Sequence, residues 1–175
     1  MNPTAVIALA NLNRRRRWDT EPRAPFLDLL RARRLLSEAG LAIDSLREEN
    51  VAALARLAGA VSELGDCLAL GRRPARRTVE VINELAAGCT ATTRLSVTRH
   101  EVRAETDWHD PDPVAGLARR IVHELDGADA SRLRQCQRQE CDLLFFDATR
   151  SRSQRWHAEN PCGSLARQHR RRARE

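Results

Sequence analysis

The sequence predicts a mainly α protein with one small β-hairpin, followed by a compact ββα unit at its C-terminal end. Three observations lead there. From the N-terminus to about position 130, apolar side chains recur at three- and four-residue steps, the spacing of a helix with one buried face. Only between about positions 94 and 106 does the period fall to two. Beyond position 130 the helical period stops, and cysteine, histidine and arginine dominate.

The helical part divides at its glycines and prolines. Phe26, Leu29 and Leu30 open a segment that ends near Gly40, a residue suited to the left-handed position after a helix. Ser45 and Glu48 have the spacing of a capping box ahead of a long helix. Leu54, Leu57, Val61, Leu64 and Leu68 form its buried stripe, and Gly71 and Pro74 end it. Val79, Ile82, Leu85 and Ala86 mark a shorter helix closed by Gly88. In "TRLSVTRHEVRAETDW", Leu95 and Val97, then Val102 and Ala104, alternate with polar residues and predict the hairpin. Asp112 and Pro113 supply the N-cap and first position of a further helix, with Val114, Leu117, Ala118, Ile121 and Leu125 on its core side.

Composition narrows the function. No apolar run approaches the roughly 20 residues that span a bilayer, so no membrane partner is expected. The N-terminal "AVIALA" precedes the Arg14–Arg17 run. A secretory leader has the reverse order, which predicts a cytoplasmic chain. Five cysteines in 175 residues suit a reducing compartment. The 30 basic residues are all arginine. Between Arg150 and Glu175 there are eight arginines against two glutamates, whereas acids and bases balance over the rest. The whole net charge of +6 therefore resides in the Arg150–Glu175 segment. An anionic partner for that end is expected, nucleic acid first, although a solvated basic tail has the same composition.

The cysteines near that end are patterned as Cys136-x4-Cys141-x15-His157-x4-Cys162. Two short-spaced ligand pairs joined by a spacer of this length are what one structural zinc ion requires. The alternative is three buried cysteines and a surface histidine in a small module. Between the pairs, Leu143–Phe146 predict an apolar strand, "DATRSRS" a turn, and "QRW" a returning strand. Cys162 follows Pro161 at the start of the last helix, with Asn160 as its N-cap. His169 is a weaker candidate for the fourth ligand.

The run from Cys136 to Arg174 resembles the CGNR-type zinc finger. That family has a Cys-x4-Cys pair, an "LLFxD" strand, a basic turn and a Trp-Cys-x4-Cys-Gly-Asn-Arg segment. Leu143, Leu144, Phe145 and Asp147 match the strand, Trp156 the tryptophan, and Cys162-Gly163 the start of the signature. His157 stands at the family's third cysteine, and Ser164-Leu165 replace its Asn-Arg. The resemblance implies a treble-clef-like finger over residues 131–175 holding one structural Zn2+. Residues 1–130 are similar in layout to the ABATE domain that precedes this finger in the family. The family is described as transcription regulators, some linked to stress.

Four protein ligands leave no open position for a substrate, so the metal is expected to organise a surface. Arg167, Arg170, Arg171 and Arg174 lie at i, i+3, i+4 and i+7, a stripe on the last helix. Arg150, Arg152 and Arg155 extend it from the turn. Guanidinium groups suit phosphates and guanine edges, which points to double-stranded DNA. RNA or an acidic protein surface is the alternative partner. The helical part is left for sensing a signal or for forming a homodimer. No enzyme is expected: the chain has no Gly-rich phosphate loop, Gly-x-Ser-x-Gly or Cys-x-x-Cys. Asp107, His109, Asp110 and Asp112 in "DWHDPD" are better explained by turn and cap chemistry. Cys67 and Cys89 read as small residues of the helical core.

Overall fold

The computed structural model describes residues 3–12, 14, 28–41, 43–109 and 112–172. Phe26, Asp110 and Arg174 lie outside them. The first helix, α1 (Thr4–Asn11), buries Ala5, Val6, Leu9 and Ala10. It carries no capping side chain of its own, because Pro3 precedes it. Its cap comes from far along the chain. The buried Glu124 carboxylate accepts the Ala5 and Val6 N–H groups at 2.6 and 3.1 Å. Negative charge at a helix N-terminus satisfies free N–H groups and opposes the positive end of the dipole. Arg120 holds the same carboxylate through its Nε at 3.1 Å.

Helix α2 (Leu29–Glu38) begins at Asp28, whose carboxylate accepts the Arg31 N–H at 2.8 Å. It ends before Gly40, at φ +68°. Its buried residues are Ala32 and Leu36, while Leu30 is 81% exposed. The expected Ser45 capping box does not form. A 3-10 turn at Glu48–Asn50 intervenes instead, and Asn50 Oδ1 accepts the Arg47 N–H at 2.9 Å. Helix α3 (Val51–Ala69) then runs through the centre, with Leu54, Leu57, Val61 and Leu64 buried as their spacing predicts. It stops at Gly71, φ +64°, a conformation that only glycine adopts freely.

Helix α4 (Arg76–Ala86) packs on α3 through Thr78 and Ile82. Val79 is exposed at the rim of a groove. The hairpin is longer than the alternation suggested: β1 (Thr90–Val97) pairs antiparallel with β2 (Val102–His109), Val97 facing Val102 at the tip. Helix α5 (Pro113–Leu125) opens as expected, the Asp112 carboxylate accepting the Val114 N–H at 2.8 Å. Val114, Leu117, Ala118 and Ile121 complete the core between α1, α3 and α4. No helix among the described residues is long and apolar enough to cross a membrane.

A 3-10 turn (Ala130–Arg132) leads into the C-terminal unit, built from β3 (Leu133–Gln135), β4 (Leu144–Phe146) and α6 (Ser164–Arg172). The strand partner differs from the sequence expectation. Leu144–Phe146 pair with Leu133–Gln135, upstream of the first cysteine, and not with the "QRW" segment. The pairing is local, and it places Cys136 and Cys141 in the connection between the strands. Leu144 is almost fully buried in the helical core. It rests on Gly65 of α3, where an added Cβ would lie 2.5 Å from Leu144 Cδ1. Asn11 at the end of α1 donates to the Leu144 carbonyl at 2.9 Å and accepts its N–H at 2.8 Å. Buried Arg14 spans α1, α3 and the metal-bearing loop, donating to the Ala10, Ser62 and Asp142 carbonyls and pairing with Asp66 at 2.8 Å.

Loss of the distant cap should be measurable. Glu124→Ala is expected to lower the unfolding free energy by about 1–2 kcal/mol in urea titration. Amide exchange should accelerate first at Ala5 and Val6.

Candidate metal centre

The β3–β4 connection is a tight knuckle. The Cys136 N–H donates to the Leu143 carbonyl at 2.9 Å, and the Cys141 N–H to the Arg138 carbonyl at 2.9 Å. These bonds turn both sulfurs to one side. A second loop supplies His157 and Cys162, and the Gln137 N–H stitches it to the first through the Arg155 carbonyl at 3.0 Å. Asn160 does not cap the last helix as expected. Its backbone is extended (φ −111°, ψ 123°) ahead of a cis Asn160–Pro161 bond, and α6 starts only at Ser164. The wide turn over Glu159–Gly163 buries Cys162 completely.

All four expected ligands converge. Their donor atoms lie within 4.8 Å of one another. His157 Nδ1 stands 3.5 Å from Cys141 Sγ and 3.7 Å from Cys162 Sγ. A tetrahedral zinc with bonds of about 2.3 Å to sulfur and 2.0–2.1 Å to nitrogen separates its ligands by about 3.5–3.8 Å. The donor set therefore suits one zinc ion, with Nδ1 as the histidine ligand. His169 is not in the cluster; it borders a neighbouring cleft on α6. Of the remaining cysteines, Cys67 and Cys89 are half-buried and lie outside the cluster.

The surroundings suit a cation. Burial foremost, then the neighbouring Cys136 and Cys162 sulfurs, pushes the Cys141 thiol up to about 12. A dication reverses that preference by stabilising the thiolates. Three thiolates, one imidazole and Zn2+ leave one net negative charge, which is costly when buried unless it is paired. Arg138 provides the pairing. It is 6% exposed, with Nη1 3.9 Å from Cys162 Sγ and Nη2 3.1 Å from Glu140. Leu143 and Trp156 close the apolar side of the site.

Asp147 braces the loop between the ligand pairs. It is wholly buried, and its carboxylate accepts the Thr149 hydroxyl and the Thr149 and Gln154 N–H groups, with Arg134 Nε at 3.6 Å. Burial pushes its carboxyl upward, but these donors together outweigh burial and hold it below its ordinary value. Arg132 fastens the same turn by donating to the Asp147 and Thr149 carbonyls at 2.9 and 3.0 Å.

Neither Arg138 nor Asp147 has a role in the site as read from sequence. Arg138 could have been noticed as the only charged residue between Cys136 and Glu140 in the knuckle. Asp147 was visible as part of the strand motif, without its bonding.

A fully protein-ligated, buried Cys3His cluster on a ββα frame defines a structural zinc site. The family model of the CGNR zinc finger matches residues 132–175, which contain the whole cluster. The C-terminal unit is thus a CGNR zinc finger with a Cys136, Cys141, His157 and Cys162 cluster. No curated protein matches the chain.

Purified protein should carry one equivalent of zinc by elemental analysis, and Cys162→Ser should lose it. Arg138→Ala keeps all four ligands and is expected to weaken zinc binding about 10- to 100-fold in chelator competition. Because binding must displace thiol protons, that of the raised Cys141 thiol among them, apparent zinc affinity should rise with pH, with proton release seen by calorimetry. The Asp147 contribution has the opposite pH limit. Its carboxyl is depressed, so its stabilisation is complete above the ordinary value of 3.8 and fades as pH falls through the lower folded value. Asp147→Asn should lower the thermal midpoint at pH 7 and flatten the acid limb of stability below about pH 4.

Proposed function

We propose that the chain is a non-catalytic, zinc-stabilised regulator that binds double-stranded DNA through the arginine face of its finger. The observation that carries this reading is a cluster on the exposed side of the zinc site. The guanidinium groups of Arg155, Arg167 and Arg170 stand 5.5, 5.7 and 5.8 Å from the Trp156 ring. Trp156 also packs on the metal cluster, so the zinc-held core positions the arginines through it. Cation–π contact restrains their long side chains while leaving N–H groups for an anion.

The arginines of the site are not equivalent. Arg155 Nε donates to Gln137 Oε1 at 2.7 Å. Together with Arg138, His169 and Arg170, it borders a cleft of about 260 Å3. Arg150 and Arg171 are exposed. Arg152 is turned back to Asp129 at 3.1 Å, and Arg167 pairs with Glu159. The contacts to DNA are therefore assigned first to Arg155, Arg170 and Arg171, with Arg150 from the turn. Arg167 and Arg152 orient the turn and the start of α6. Helix α6 is nine residues long, about 14 Å, and a helix about 10–12 Å in diameter fits a major groove about 12 Å wide. The Ser164-Leu165 departure removes an arginine from the signature, and Arg170 supplies a guanidinium face beside Trp156 in its stead. The helical part, which resembles an ABATE domain in its sequence pattern, serves sensing or assembly on this reading. Regulation of transcription, including under stress, is the role that the finger's family suggests.

Zinc-loaded protein should shift defined duplex DNA in the presence of excess competitor. Arg170→Ala with Arg171→Ala should weaken binding across sequences and reduce the slope of log K against log salt by about two. Equal retention by polyglutamate or single-stranded RNA, with no duplex preference, would reject DNA as the partner.

A further inference from the structure

Between the helical part and the finger lies a groove of about 540 Å3, within the size range of small-molecule sites. Both units build it. Its floor is formed by the buried Leu64 of α3, Ile82 of α4 and Leu133 of β3. Phe146, the register partner of Leu133, completes the finger side. The exposed rim carries Asn83 of α4, His123 in the last turn of α5 and Asp126 at the C-cap of α5.

Charge sets this groove apart from the rest of the surface. The chain has 30 arginines and a net charge of +6, yet among the described residues no arginine lines the groove. Two carboxylates do, Asp126 and Asp129. They differ in what they already hold. Asp129 is taken up by the finger: it accepts the Ser131 N–H and hydroxyl at 3.1 and 2.5 Å and pairs with Arg152 at 3.1 Å. The Asp126 side chain has no hydrogen bond or ion pair among the described residues. It also stands at the C-terminal end of a 13-residue helix, where the dipole adds partial negative charge.

We propose that the groove binds a small organic cation, an apolar body that carries one ammonium group. The body rests on Leu64, Ile82, Leu133 and Phe146, and the ammonium meets Asp126 at the rim. Apolar burial supplies most of the affinity, since an ion pair to an exposed carboxylate adds at most about fivefold. Charge supplies the selectivity. An anion of the same shape would meet two carboxylates and no guanidinium. A ligand seated here touches α3, α4 and α5 on one side and the β3–β4 sheet on the other, so it couples the finger to the helical part. The site does not depend on what the finger binds.

Three probes of one shape test it: 4-phenylbutylammonium, 4-phenylbutanol and 4-phenylbutyrate, each titrated by NMR into the isotope-labelled, zinc-loaded full chain. For molecules of about a dozen heavy atoms, the ammonium is expected to bind with a Kd on the order of 0.1–1 mM. The alcohol should bind about three- to fivefold more weakly, and the carboxylate at least about tenfold more weakly. General attraction to a chain of net charge +6 favours the carboxylate, so the reverse order can come only from the groove. Amide shifts should move together at Ile82, Asp126, Leu133 and Phe146. Asp126→Asn should reduce the ammonium to the affinity of the alcohol and leave the alcohol unchanged. Val79→Trp, at an exposed rim position outside the core, should weaken all three probes. No saturable shifts with the ammonium up to about 10 mM, equal binding of the carboxylate, shifts that spare Leu133 and Phe146, or full ammonium affinity in Asp126→Asn would each overturn the proposal.

Discussion

The three-residue strand Leu144–Phe146 is the constraint on which both halves of the molecule depend. Leu144 enters the helical core over Gly65, while Leu143, one residue earlier, packs on the metal cluster. The stretch is apolar throughout because both of its faces meet a core. Cys141 lies only three residues before Leu144. The same short stretch therefore fixes the register of the finger and its place on the helices. A unit of about 40 residues buries too little apolar surface to stand alone, and a metal or a neighbouring core must make up the difference. Here both contribute. The Asn11 amide, bonded to both backbone groups of Leu144, takes the place of a third strand.

Buried charge follows one rule throughout. Each such group is answered by several partners, and for Glu124, Arg14 and Arg138 some of these are distant in sequence. Glu124 caps α1 from the far end of α5, Arg14 spans α1, α3 and the Asp142 loop, and Asp147 closes the turn between the ligand pairs. Arg138 faces the Cys162 sulfur and Glu140 at once. Partners of this number are what make burial of a carboxylate or guanidinium tolerable. The exposed arginines of α6 are of a different kind. Arg167 and Arg170 gather on the Trp156 ring, where Arg167 also pairs with Glu159, and Arg171 is exposed. This division separates the charges that build the fold from those that serve the proposed interface.

Sequence patterning recovered the elements whose rules are local. The stripe of α3, the Asp112–Pro113 start of α5 and the glycine stops at Gly40 and Gly71 depend on periodicity, capping and left-handed backbone, all of which a short window contains. The four ligands were legible for a related reason: the spacing of each ligand pair is a property of one loop. Errors arose where two solutions satisfied the same local pattern. Leu143–Phe146 could pair with either flank, and the Leu133–Gln135 side won. The Ser45–Glu48 spacing met a capping rule, but Asn50 took the bond. Helix α1 went unremarked because its cap, Glu124, sits on another helix.

By itself, then, the sequence determined the helical class, the hairpin, the Cys3His ligand set and the basic character of the Arg150–Glu175 segment. Each is written in spacing or composition within a short stretch of chain. Only the tertiary structure decided which strand partners Leu144–Phe146, and which arginines are spent on Asp129, Glu159 and Cys162. It also revealed that Leu95, Val97 and Val102 of the hairpin stand exposed among the described residues. These are outcomes of competition among groups far apart in the chain, and proximity settles them only once the core has formed.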